Sequence, residues 1–60
     1  MEPPRDRLLR LAGMLRTVPE PDKRRLTFAL VEARLIEDPV RFYKRTGEIE
    51  QEIRALKPRE

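Results

Sequence analysis

Six prolines, at positions 3, 4, 19, 21, 39 and 58, decide how this 60-residue chain can fold. Proline has no N–H to donate and a fixed φ, so it starts or stops a helix and breaks one from inside. It also pushes the residue before it out of the α region. The prolines therefore cut the chain into three blocks, and each block carries apolar residues at helical spacing.

In the first block Leu8, Leu11, Ala12, Leu15 and Val18 recur at intervals of three and four, which is one helical stripe. Arg5 and Arg16 flank it on one edge and Arg7 on the other. Pro3 and Pro4 suit the helix start. Gly13 either costs up to about 1 kcal/mol relative to alanine or lets another helix cross closely. The spacing predicts a helix over about 4–17. Thr17 and Glu20 then have the spacing of a capping box, but Glu20 precedes Pro21, so the next helix is expected to begin at Pro21. Glu20 and Asp22 suit the positive end of its dipole.

The second block, expected to be helical over about 21–37, is apolar on two sides. On a helical wheel Leu26, Ala29, Leu30, Ala33 and Ile36 share one face, and Phe28, Val31 and Leu35 share nearly the opposite one. Thr27 and Arg34 separate them on one side, Arg25 and Glu32 on the other. A helix apolar on two sides is expected to be covered on two sides. Two arrangements satisfy this. The first and third helices can pack on opposite sides of the second, or they can share one side and leave Phe28, Val31 and Leu35 to another chain.

Asp38 is a good N-cap and Pro39 a good first helical residue for the third block. Phe42, Thr46, Ile49, Ile53 and Leu56 form a seam of alternating fours and threes, too short for a true coiled coil. The seam runs unbroken across Gly47, which favours one helix over about 39–57, ended by Pro58. Glu50–Arg54, and Glu37–Arg41 if the turn allows it, have favourable i,i+4 spacing. The expected fold is therefore all-α, a single domain of three helices.

A 60-residue chain buries only about 60% of its unfolded surface and is marginal alone. Small domains gain support from disulfides, a metal or self-association. The chain has no Cys and no His, which removes disulfides and the usual zinc ligand sets. Self-association remains, and a symmetric homodimer through the second helix is expected. The candidate contacts are Phe28, Val31 and Leu35, together with the seam residues Phe42, Ile49, Ile53 and Leu56.

The same composition restricts chemistry. Without Ser, Cys or His no ordinary acyl-transfer triad can be built. Paired carboxylates need a cleft that shifts one pKa, and a chain this short offers little room for one. No catalysis and no cofactor are expected. Glu48 and Glu52 lie one helical turn apart, which reads as a solvated face and not as a metal site. Arginine supplies 11 of the 14 basic residues, and Asn, Ser, Cys and His are absent. That fits a heat-loving source, although a GC-rich genome would also favour Arg.

The net charge of +3 sits in residues 1–30; residues 31–60 balance to zero. Two clusters, Lys23, Arg24 and Arg25, and Arg41, Lys44 and Arg45 beside Tyr43, offer phosphate contacts and one ring for base stacking. The break at 37–39 has the look of a helix-turn-helix turn. The modest charge and the neighbouring Glu37, Asp38 and Glu48 weigh against this. No apolar run approaches the length needed to span a bilayer, so a soluble, cytoplasmic protein is expected. The leading function is a non-enzymatic interaction or regulatory module. A small nucleic-acid-binding protein is the alternative.

Overall fold

The computed structural model describes residues 2–56, and these form three α-helices: α1 Pro4–Leu15, α2 Asp22–Arg34 and α3 Pro39–Ala55. All three pairs of helices touch. The all-α three-helix reading holds. The expected helix end at Lys57 and Pro58 lies outside the described residues.

Each boundary has a local cause. Pro4 opens α1 after an extended Pro3. Near its end the chain tightens to i→i+3 bonds, with the amides of Arg16, Thr17 and Val18 donating to the carbonyls of Gly13, Met14 and Leu15. The first helix therefore ends at Leu15 instead of 17, yet the tight turn still carries Val18 into the core, 3% exposed. The second helix is also shorter than 21–37. It starts at Asp22 after Pro21 and ends at Arg34, where Leu35 and Ile36 again form i→i+3 bonds. Such bonds satisfy the last carbonyls of a helix without extending it. Asp38 caps α3, its carboxylate accepting from the Val40 amide at 2.9 Å. The third helix runs through Gly47 without a break.

Cross-helix contacts set the directions. Tyr43 donates to the carbonyl of Glu2, Arg7 reaches Thr46 and Arg10 reaches Glu50, so α1 and α3 run parallel. Arg25 reaches Glu52, so α2 runs antiparallel to α3. The core is one cluster: Leu11, Leu15 and Val18 from the first block, Leu26, Leu30 and Ala33 from α2, and Ile49 and Ile53 from α3. Leu8, Met14, Ala29, Ile36 and Leu56 pack around it, half-buried.

Three expectations are corrected. Gly13 does not admit a close crossing: a Cβ there would meet nothing within 4 Å. Ala12, placed on the core stripe, is exposed. Glu37 and Arg41 form no ion pair, whereas Glu50 and Arg54 do, at 2.9 Å.

Candidate interaction surface

The two apolar faces of α2 meet different fates. Leu26, Leu30 and Ala33 are buried. Phe28, Val31 and Leu35 are 66%, 51% and 71% exposed. Both α1 and α3 pack on the first face, so the arrangement with helices on opposite sides of α2 is not adopted. Leu9 of α1, 66% exposed, extends the uncovered face, with exposed Ala12 beside it. The reading of the first block missed Leu9. The available signal was its spacing of three and four from Ala12 and Arg5, off the main stripe.

The helix-three seam belongs to the chain's own core. Phe42, Ile49 and Ile53 are buried and Leu56 is half-buried against the cluster. They are not open to a partner in this fold, and the candidate contacts reduce to Phe28, Val31 and Leu35, with Leu9 added. The reason is geometric: periodicity marks which side of a helix is apolar, not which surface meets it.

Two shallow grooves flank Val31. One, about 320 Å³, lies between α1 and α2, lined by Leu8, Leu9, Ala12, Leu30 and Val31 with Arg5 and Arg34. The other, about 290 Å³, runs beside the first turns of α2; Phe28, Val31 and Thr27 line it with Glu20, Lys23 and Arg24.

Ion pairs lie away from this surface. Arg10 is held by two carboxylates, Glu2 at 2.9 Å and Glu50 at 3.0 Å, and Arg54 also reaches Glu50 at 2.9 Å. The hydrogen bonds from Arg10, then those from Arg54, hold the Glu50 carboxyl down at about 2. The Arg10 bond likewise lowers Glu2, and Arg10 itself is raised. Arg25 is raised by Glu52, with Asp22 adding to it. Among the described residues Arg5, Arg16, Lys23, Arg24, Arg34, Arg41 and Lys44 enter no ion pair.

The two basic clusters are not brought together. Arg25 sits beside the end of α3, at Glu52, while Arg41, Tyr43, Lys44 and Arg45 occupy its beginning. Within the first cluster Lys23 and Arg24 line a groove, while Arg25 is engaged. Within the second, Arg41 and Lys44 are exposed, and Arg45 pairs with Glu48 at 3.3 Å. Tyr43 is half-buried and engaged within the chain: its hydroxyl donates to the Glu2 carbonyl, its ring meets Phe42 edge-on, and Arg7 lies 5.4 Å over its centre. Of the weighed carboxylate pair, Glu48 is bound to Arg45 and Glu52 to Arg25. No described helix is long and apolar enough to cross a membrane.

Comparison with family models, curated proteins and solved structures finds no significant match.

Proposed function

We propose that this protein acts without catalysis, as a helical interaction module that presents the α1–α2 face to another polypeptide in the cytoplasm. One observation carries the reading. The core forms without Phe28, Val31, Leu35 and Leu9, all exposed; Val31 lines one groove with Leu9 and the other with Phe28, and Leu35 has the spacing of the same face. Contiguous exposed apolar surface on a small soluble domain marks an interaction site more often than scattered leucines do. The absence of Ser, Cys and His from the sequence supports the non-catalytic part.

A photoreactive phenylalanine analogue at position 28, expressed in the source cell, tests this. A discrete protein adduct is expected, with none from the same group at exposed Gln51 on α3. No adduct at position 28, or adducts with nucleic acid alone, overturns the reading.

A homodimer through Phe28, Val31 and Leu35 is one form of such a module, supported by the small size of the chain. Light scattering at high micromolar concentration decides it: a dimer gives twice 7.2 kDa, and a 7.2 kDa particle excludes it. The second reading, nucleic-acid binding, rests on exposed Arg41 and Lys44 and on Lys23 and Arg24. It requires binding to duplex DNA or RNA that weakens steeply with salt and drops on Arg41→Ala with Arg45→Ala.

A further inference from the structure

We infer that the uncovered α1–α2 face receives an amphipathic helix from a different protein, one whose apolar stripe is flanked by Asp and Glu. This rests on the interaction reading above and names its partner's chemistry.

The shape comes first. Helices α1 and α2 are antiparallel neighbours, and α3 fills the groove on one side of them. The groove on the other side is open, lined by Leu8, Leu9, Ala12 and Val31. Ala12 is the small residue that lets a helix backbone come close. A fourth helix laid there would bury the groove and meet the Phe28 ridge, as amphipathic helices do when they dock through residues at i, i+3, i+4 and i+7. At 12 residues α1 spans about 18 Å, matching three to four turns of a partner.

Charge then selects the occupant. The two grooves carry four bases, Arg5, Lys23, Arg24 and Arg34, and one acid, Glu20. Among the other described bases Arg7, Arg10, Arg25, Arg45 and Arg54 have carboxylates, and Arg16, Arg41 and Lys44 do not. Four of the seven unpaired bases among the described residues thus line the uncovered apolar grooves, against a single acid there. A partner with carboxylates beside its apolar stripe satisfies both. A second copy satisfies only the apolar part, because a two-fold contact sets each patch against its own image and brings four bases to four. Like charges facing each other suppress such a pairing.

The test is selection from a display library of helical peptides with a fixed apolar stripe at i, i+3, i+4 and i+7 and flanking positions randomised among Glu, Lys, Gln and Ala. Glu-flanked helices are expected to be enriched, and to bind about tenfold or more tighter than Lys-flanked ones if several rim pairs form. Enrichment is lost with Phe28→Ala plus Val31→Ser. With Arg24→Glu plus Arg34→Glu, both exposed positions, the preference turns to Lys-flanked helices. Circular dichroism melts confirm that each variant remains folded. Phe28-dependent enrichment without charge preference overturns the acidic partner and leaves the interaction reading standing. A Phe28-dependent dimer does the same. No Phe28-dependent enrichment, or Phe28-dependent binding only to vesicles of phosphatidylserine and phosphatidylcholine in equal parts, overturns both.

Discussion

Thr46 is a polar residue at the centre of an apolar seam, with no exposed surface. A buried hydroxyl is tolerated only when it is hydrogen-bonded. Here it donates to the Phe42 carbonyl at 2.8 Å and accepts from Nε of Arg7 at 2.6 Å. The seam placed Thr46 correctly, but nothing in the local sequence announces Arg7, which lies 39 residues away and reads as a solvated edge. Replacing Thr46 by Val keeps the shape and strands a mostly covered guanidinium N–H, so Thr46→Val should cost about 1–3 kcal/mol in urea unfolding. In a double-mutant cycle with Arg7→Met the two losses should fall short of additive by about 1 kcal/mol. Full additivity would show that the bond contributes nothing. Gly47 permits the opposite change. A Cβ there meets only an Arg7 terminal nitrogen, at 3.5 Å, and the residue lies within α3. Gly47→Ala should therefore stabilise by about 0.5–1 kcal/mol.

At the level of elements, much of the architecture was legible because proline acts locally. Pro4 and Pro39 begin helices where the sequence puts them, and Asp38 supplies the cap expected of it. Asp38→Ala should lower stability by about 1 kcal/mol, read from the thermal or urea midpoint. An unchanged midpoint would mean that Pro39 alone fixes the start of α3. The helix ends were less legible, because Val18 and Ile36 continue the apolar spacing after the helix has tightened into turns. Packing, not helix, places Val18 in the core. The destination of each apolar face was the least legible feature. Phe42–Leu56 and Phe28–Leu35 look alike as stripes, yet one is core and the other is open. The difference follows from how three helices share one centre: α2 can turn only one of its faces inward, and the face with Leu26 and Leu30 flanked by small Ala29 and Ala33 allows the neighbours to approach most closely.

On the scale of the whole molecule, carboxylate–guanidinium contacts join distant parts of the chain, Glu50 lying 40 positions after Arg10 and Glu52 27 after Arg25. No sequence pattern links such pairs; they exist because the core sets the helices side by side first. Their energies differ with exposure. Arg25 and Glu52 are both open to water, so their contact should contribute little and weaken with salt. Glu50 is more enclosed, its side chain 15% exposed, and it is shared by Arg10 and Arg54. Its carboxyl titrates at about 2 in the folded chain against 4.5 ordinarily. A carboxyl depressed by folding stabilises the fold while ionised, so the contribution is present in full above about 4.5 and is lost as the pH falls from there toward 2. The urea midpoint should hold steady from pH 7 to about 5, then decline across that window. Glu50→Gln removes the titrating group and should lower the plateau while flattening the decline; Glu48→Gln, exposed and paired only with its near neighbour Arg45, should leave the plateau where it is. If Glu50→Gln leaves the acid limb as steep as before, Glu2 and the other carboxylates carry the pH dependence and the bridge between α1 and α3 adds little to the fold.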